Sequence, residues 1–200
     1  STWAGCPCVF VRLSGCNLRC TYCDTQYAYE PGPEVPVAEL LRRVQALLHP
    51  GDIIELTGGE PLLQEASLPL LEQLARLATV LVETNGSVRL PPSPRCFHAI
   101  LDVKSPSSGE SERVVWENLC DLTPGDEVKF VIADRRDFSW ALEHIGDYPL
   151  LEQGTPLLFA PVSGAVSPAD LAGWILDTGL PIRLHLQQHK VIWPDCDRGV

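Results

Sequence analysis

Short apolar stretches alternate with amphipathic ones along most of this sequence. Seven of the apolar stretches are rich in Val, Ile and Leu and predict strands, at 8–13, 52–57, 79–84, 98–103, 127–132, 156–161 and 182–187. Most of them are apolar over several consecutive residues and do not alternate strictly with polar residues. That pattern is typical of parallel strands that are covered on both faces.

Helical periodicity fills several of the intervals between the predicted strands. Apolar residues recur three and four positions apart in segments that predict helices, at 37–48, 67–78, 136–146 and 167–179. Ser67 and Ser167 are predicted N-caps, because a serine hydroxyl accepts a hydrogen bond from the backbone N–H groups of a first turn. Pro168 fits the first position of the last helix, and Gly179 fits its C-terminal end.

The alternation of strands and helices predicts a parallel sheet with right-handed crossovers. Two hundred residues, 45% of them hydrophobic, suffice for one core, so we expect a single domain over 1–200. Seven strands with fewer clear helices favour an α/β fold of the incomplete parallel β/α barrel type over a closed eightfold barrel. A doubly wound sheet is the alternative architecture.

Polar or glycine-rich segments follow six of the predicted strands. They lie at 14–27, 57–61, 83–87, 104–110, 160–164 and 187–190. In a parallel sheet these segments meet at one edge, at the carboxyl ends of the strands, which is where ligands bind in such folds. The sequence therefore predicts an active site at that edge.

Three cysteines stand close together in the first of these segments. Cys16, Cys20 and Cys23 have the spacing C-x3-C-x2-C, and thiolates select zinc, copper(I) or iron–sulfur clusters. A structural zinc site needs four protein ligands, whereas a [4Fe–4S] cube held by three cysteines leaves one iron open to a small molecule with an amine and a carboxylate. A zinc-binding module without catalytic activity is the alternative.

Charge and composition narrow the classes of partner. A formal net charge of −11 argues against a nucleic-acid surface, which needs a basic patch. The sequence has no apolar run long enough for a membrane span and no signal-peptide pattern, so we expect a cytoplasmic protein with reduced thiols. Core packing or surface positions account for the other cysteines, Cys6, Cys8, Cys96, Cys120 and Cys196.

The cysteine triplet after the first strand and TGGEP (57–61) after the second resemble the radical S-adenosylmethionine (SAM) superfamily. Five segments resemble its 7-carboxy-7-deazaguanine synthase family: FVRLSGCNLRCTYCDTQY, TGGEPLLQ, ETNGS, DVKSPSSGE and LQQHKVIW. That family begins with a strand that ends in Gln-Gly-Glu, whereas this sequence starts at Ser1 and has no methionine. We therefore expect a further N-terminal strand before Ser1.

The resemblance implies a lyase that converts 6-carboxy-5,6,7,8-tetrahydropterin to 7-carboxy-7-deazaguanine with loss of ammonia, in queuosine and 7-deazapurine biosynthesis. It implies three cofactors, a [4Fe–4S] cluster, SAM and Mg²⁺, and a 5′-deoxyadenosyl radical that abstracts hydrogen from the pterin. It also implies a flavodoxin or ferredoxin-type electron donor and a homodimer. A radical SAM activase that makes a glycyl radical on a partner protein is the alternative enzyme.

The same resemblance implies roles for individual residues. The implied cluster ligands are Cys16, Cys20 and Cys23, and the implied Mg²⁺ ligand is Thr25. The residues implied to contact SAM are Tyr22, Cys23, Asp24, Gly58, Gly59, Glu60, Ser105, Pro106, Ser107, Ala160, Pro161, Val162 and Ser163. The residues implied to contact the pterin are Arg12, Thr57, Thr84, Asn85, His189 and, through its terminal carboxylate, Val200.

Structural explanations stay open for several polar residues. Arg12 suits a bidentate contact with a carboxylate, but equally an ordinary salt bridge at the end of a strand. Thr25 fits a turn as well as a Mg²⁺ site. Lys104 and Glu83 are candidates for a buried ion pair of purely structural meaning.

Overall fold

The computed structural model describes residues 1–196. These residues contain seven strands: β1 (Cys8–Leu13), β2 (Ile53–Gly58), β3 (Thr79–Thr84), β4 (His98–Val103), β5 (Glu127–Ile132), β6 (Leu157–Pro161) and β7 (Ile182–Leu184). The same residues form six α-helices: α1 (Val37–Leu47), α2 (Ser67–Leu74), α3 (Glu117–Cys120), α4 (Arg135–Asp147), α5 (Pro168–Thr178) and α6 (Gln188–Ile192). None of the helices within 1–196 is both long and apolar enough to cross a membrane.

Each strand of the sheet pairs in parallel with the next strand in the sequence. The strand order within residues 1–196 therefore runs from β1 to β7 without a reversal. This order confirms the predicted incomplete β/α barrel. The doubly wound alternative is wrong, because that architecture reverses its strand order within the sheet. Parallel pairing also brings the carboxyl ends of all strands to one edge.

The last strand is shorter than predicted. β7 ends at Leu184, although His185 still donates its backbone N–H to the carbonyl of Phe159 at 2.8 Å. Beyond His185, the side chain of Gln187 donates to Asp24, in the loop after β1, at 2.8 Å. The polar segment 187–190, which was expected to follow this strand, lies mostly in α6.

Only one of the two serines predicted to be N-caps caps its helix. Ser167 is the N-cap of α5, where its hydroxyl accepts the N–H of Asp170 at 3.0 Å, and Gly179 ends the helix with a φ of 65°. Ser67 is not an N-cap but the first residue of α2. Its buried hydroxyl donates to the carbonyl of Pro61 instead, because the preceding turn brings that acceptor within reach.

The two faces of the sheet differ in chemistry. Ile54 and Leu56 of β2 pack outward with the apolar residues of α1 and α2. Because successive strand residues point to opposite faces, Glu55 between them points into the barrel. The same alternation directs Glu83 and Lys129 inward, since Val82 before Glu83 and both neighbours of Lys129 belong to the outer apolar clusters. The inner face is therefore charged toward the carboxyl ends of the strands.

A buried ion pair fixes the loops that lead into β4 and β5. The side chains of Arg95 and Asp126 pair with only 1% and 0% of their surface exposed. Asp126 also accepts the backbone N–H groups of Ala99 and Thr123, each at 2.7 Å. Both oxygens of the Asp126 carboxylate therefore have hydrogen-bond partners inside the fold.

Asp126→Asn should lower the free energy of unfolding by about 3–5 kcal/mol, because it leaves the Arg95 charge buried without a counter-ion. Urea unfolding followed by circular dichroism measures the loss. The matched control is Asp121→Asn, which breaks an exposed pair with Arg89 and should cost about 1 kcal/mol or less. Equal losses in the two variants would contradict the prediction.

Candidate active site

A cavity opens at the carboxyl edge of the sheet, where the sequence predicts the active site. Its walls come from the loop after β1, the ends of β2 and β3 and the residue after β4. The lining residues are Cys16, Leu18, Cys20, Cys23, Thr25, Tyr29, Gly58, Gly59, Asn85 and Lys104. The structure thus brings the three cysteines together with Thr25 and both glycines of TGGEP.

The three thiols have surroundings that suit a [4Fe–4S] cluster. The Sγ of Cys16 accepts the backbone N–H of Leu18 at 3.5 Å and the Nδ2 of Asn85 at 3.7 Å, and hydrogen bonds of this kind tune cluster sulfurs. Burial raises the pKa of Cys20 to about 11 against the opposing charge of Lys104, so a bound metal is needed to keep this thiol ionised at neutral pH. No group of three or more His, Cys, Asp or Glu side chains within 1–196 is arranged to hold a metal ion. The three thiols nevertheless line one shared cavity, and that observation supports a cluster.

The TGGEP turn packs directly on the loop that carries the cysteines. Gly59 donates its backbone N–H to the carbonyl of Leu13 at 3.2 Å, and Glu60 donates to the carbonyl of Gly15 at 2.9 Å. A Cβ at Gly59 would lie 2.3 Å from the oxygen of Gly15 and 2.6 Å from the Cβ of Cys16. Packing against Cys16 therefore requires glycine at this position, whatever else binds there.

Glu60 is buried and holds the TGGEP turn to the end of β3. Its carboxylate accepts the backbone N–H of Leu62 at 2.9 Å, the hydroxyl of Thr84 at 2.9 Å and the backbone N–H of Asn85 at 2.7 Å. Burial raises its pKa against these hydrogen bonds. The side chains of Glu60 and Thr84 thus have structural partners that the sequence did not reveal, and their contacts with SAM and substrate stay predictions.

Asp24 and Thr25 leave the cysteine loop side by side. The Thr25 hydroxyl donates to Oδ1 of Asp24 at 3.0 Å, and Oδ2 of Asp24 accepts Nε2 of Gln187 and Nζ of Lys190, each at 2.8 Å. Burial favours the neutral form of Asp24, yet the hydrogen bonds from Lys190, Gln187 and Thr25 outweigh it and hold its pKa well below the usual range. This carboxylate therefore links the cysteine loop to the segment after β7.

The other predicted SAM residues form two groups. In the first, the hydroxyl oxygens of Tyr22 and Ser105 lie 3.5 Å apart, and Thr21 donates to the carbonyl of Ser107 at 2.6 Å, with Pro106 between these serines. The second group lies at and after the end of β6 and comprises Ala160, Pro161, Val162 and Ser163. Neither group is part of the cavity lining around the cysteines, so these SAM contacts also stay predictions.

The predicted substrate residues are spread around the same edge. Arg12 is exposed and donates to a backbone carbonyl at 3.4 Å, whereas Thr57 is buried near the end of β2. Asn85 directs its Nδ2 at the Sγ of Cys16 and so belongs with the cysteine loop. His189 lies in α6, while Val200 falls outside the described residues.

A charged network on the inner face of the sheet was missed at the sequence level. Lys129 pairs with Glu83 and, at 3.2 Å, with Asp102, which also pairs with Lys104 at 3.0 Å. The expected pair between Glu83 and Lys104 is wrong, because Lys104 contacts Asp102 of the preceding strand β4 and lines the cysteine cavity. The sequence signal for this network was a polar residue at every second position near the carboxyl ends of these strands.

Glu55 and Glu83 share a proton within this network. Burial and the neighbouring Glu83 raise the pKa of Glu55 to about 8. Burial also acts on Glu83, but Lys129 outweighs it and lowers the pKa of Glu83 to about 2. At neutral pH Glu55 therefore keeps its proton beside an ionised Glu83, and the two titrate as a coupled pair.

Gly59→Ala should prevent assembly of the cysteine loop, since the added methyl group would collide with backbone at Gly15 and with Cys16. Iron and sulfide content after anaerobic reconstitution should drop severalfold. Gly173→Ala in α5 is the control, because its Cβ would have no atom within 4 Å, and alanine stabilises a helix interior by about 0.5–1 kcal/mol. Normal cluster content in Gly59→Ala would overturn the prediction.

Glu55 should contribute a decline in the free energy of unfolding as pH rises from about 5 to 8, because folded Glu55 keeps a proton that the unfolded chain releases. Glu60, with a raised pKa, acts in the same direction and His185, with a lowered pKa, in the opposite direction, and both do so equally in the wild type and the variants. Glu55→Gln preserves a neutral donor to Glu83 and should remove this decline. Urea midpoints measured at the two ends of that pH range test it. Exposed Glu65→Gln serves as the control and should keep the decline; an unchanged decline in Glu55→Gln would contradict the shared proton.

Comparisons with known proteins agree with this site. The model of the radical SAM superfamily matches residues 10–102, which include the cysteines and TGGEP. The chain is 42% identical to the 7-carboxy-7-deazaguanine synthase of Koribacter versatilis, over 100% of this chain and 94% of that relative. It is also 42% identical to the synthase of Chlorobaculum tepidum, over 100% of this chain and 91% of that relative.

A solved structure shares the fold. The crystal structure of QueE from Escherichia coli has a TM-score of 0.71 and 21% identity, and the match covers 94% of this chain and 88% of that one. At this identity the likeness supports the architecture, while the family rests on the full-length relatives. This chain belongs to the 7-carboxy-7-deazaguanine synthase family of the radical SAM superfamily.

Proposed function

We propose that this chain converts 6-carboxy-5,6,7,8-tetrahydropterin to 7-carboxy-7-deazaguanine with loss of ammonia, as a radical SAM carbon–nitrogen lyase. The observation that carries the proposal is the cavity in which Cys16, Cys20 and Cys23 meet the TGGEP turn. This cavity lies in a chain that aligns along its whole length with named synthases. The product feeds queuosine and other 7-deazapurines.

The residues of the chain prepare the cavity for its cofactors. Cys16, Cys20 and Cys23 hold the [4Fe–4S] cluster. Because Gly59 has no side chain, SAM can approach the cluster closely at this position. When bound, the cluster and SAM supply the radical chemistry that removes a hydrogen atom from C6 of the pterin. Lys104 adds a positive charge to the wall beside the cluster.

Polar groups around the cavity suit the substrate. Thr25 offers a hard oxygen to Mg²⁺, which takes its remaining ligands from water and substrate. The exposed guanidinium of Arg12 matches the geometry of the pterin carboxylate.

Further parts of the proposal concern the setting of the enzyme. The family resemblance supports a flavodoxin or ferredoxin-type electron donor, a homodimer and a cytoplasmic location. It also supports one catalytic domain over 1–200 and substrate contacts by His189 and Val200.

Anaerobic turnover tests the proposed reaction directly. Reconstituted protein with SAM, reductant, Mg²⁺ and 6-carboxy-5,6,7,8-tetrahydropterin should form 7-carboxy-7-deazaguanine. Formation of 5′-deoxyadenosine without the deazaguanine would retain the radical chemistry and overturn the substrate. Bound zinc in place of about four irons per chain would overturn the cluster.

Cys20→Ala should abolish cluster binding while the protein stays folded, because the cube then loses one of its three protein ligands. Iron and sulfide analysis, together with circular dichroism, measures both effects. Cys120→Ala is the matched control, since Cys120 is exposed in α3, and it should keep full cluster content. A loaded and active Cys20→Ala protein would contradict the ligand assignment.

A further inference from the structure

One carboxylate connects the two ends of the sheet. Asp24 belongs to the loop after β1, while Gln187 and Lys190 belong to the segment after β7. Both of these side chains donate to the same oxygen, Oδ2 of Asp24, at 2.8 Å. The other oxygen, Oδ1, accepts the hydroxyl of Thr25 at 3.0 Å.

The hydrogen bond from Thr25 determines what its hydroxyl can offer. A threonine hydroxyl has one hydrogen and two acceptor lone pairs. Because the hydrogen is directed at Asp24, the lone pairs stay available on the side of the cavity that Thr25 lines. A neutral oxygen ligand of a cation needs this orientation, and hydrogen bonds from outside the ligand shell commonly set it.

The segment after β7 depends on its polar contacts with Asp24. None of the five residues of α6, all of them in the described part of the chain, is buried. Val191 and Ile192 are 70% and 57% exposed, so apolar packing holds this helix only weakly. Such a helix opens easily unless side-chain contacts restrain it, and Lys190 and Gln187 supply them.

We propose that Asp24 is a positioning residue that couples the cation ligand Thr25 to the segment 187–193. Its Oδ1 orients the Thr25 hydroxyl, and its Oδ2 holds the short helix that carries His189. Lys190 acts through Asp24, since it fixes the carboxylate in the rotamer that faces Thr25. The cation part of this inference rests on the proposed function.

The competing explanation is an ordinary surface ion pair. Exposed pairs contribute about 0–1 kcal/mol and often nothing measurable, and the side chains of Lys190 and Asp24 are 37% and 45% exposed. A second pair offers a matched comparison, because Arg89 and Asp121 are 51% and 37% exposed and lie outside the cavity lining. Only a coupling role predicts different behaviour for the two pairs.

The test uses the reconstituted holoenzyme of the wild type, Lys190→Gln, Lys190→Arg and Arg89→Gln. Lys190→Gln should raise the half-saturating Mg²⁺ concentration for product formation about tenfold, the lower end for loss of an outer-shell partner. Amide hydrogen exchange across 188–193, measured without substrate, should become faster. Lys190→Arg keeps cationic N–H donors and should restore both properties, while Arg89→Gln should change neither.

A double-variant cycle tests whether the two residues act together. Asp24→Asn should also raise the Mg²⁺ requirement, because its amide cannot accept from Thr25 and Lys190 at once. If Lys190 acts through Asp24, the double variant should be no worse than the poorer single variant. Independent, multiplying effects would overturn the coupling.

Other results would also overturn the inference. An unchanged Mg²⁺ requirement in Lys190→Gln would remove the link to the cation, and unchanged exchange would remove the link to the helix. A lower Mg²⁺ requirement in Lys190→Gln would mean that the negative charge of Asp24, and not its hydrogen bond with Thr25, determines the affinity for the cation. Failure of the wild type to make product at any Mg²⁺ concentration would refute the proposed function instead, while the exchange comparison would still decide the anchoring by Lys190.

Discussion

Everything at the carboxyl edge depends on the close approach of two stretches of backbone. The TGGEP turn can lie against the cysteine loop only because position 59 has no side chain, and the N–H of Glu60 then reaches the carbonyl of Gly15 at 2.9 Å. The carboxylate of Glu60 continues the connection to Thr84 and Asn85 at the end of β3. Three neighbouring strand ends are thus fixed relative to the cysteines by a few short contacts.

The outer face of the sheet stabilises the fold, whereas its inner face carries the charged residues. Its outer face packs apolar side chains against helices, and burial of this kind stabilises the fold without specifying a reaction. Its inner face carries Glu55, Glu83, Asp102 and Lys129, which are costly to bury unless they neutralise one another. The network of shared protons and ion pairs satisfies that condition, and it leaves charged groups along the wall that leads to the cavity.

The sequence was sufficient for the strand order and the cysteine site because both follow from local patterns. Apolar runs mark the strands, and C-x3-C-x2-C lies within one loop. Side-chain contacts that no local pattern specifies were not predictable in this way. Ser67 donates to the carbonyl of Pro61 and does not cap its own helix. Glu83 pairs with Lys129 and not with Lys104. In these cases several partners were chemically equivalent, and only the tertiary arrangement selected one.

The sequential strand order has a consequence for how the two ends of the sheet are held together. Within residues 1–196, β1 pairs only with β2 and β7 only with β6, so no backbone ladder joins the first strand to the last. The contacts of Asp24 with Gln187 and Lys190 join the two ends through side chains alone. Contacts of this kind can break and form again by rotation about single bonds while every backbone hydrogen bond of the sheet stays intact.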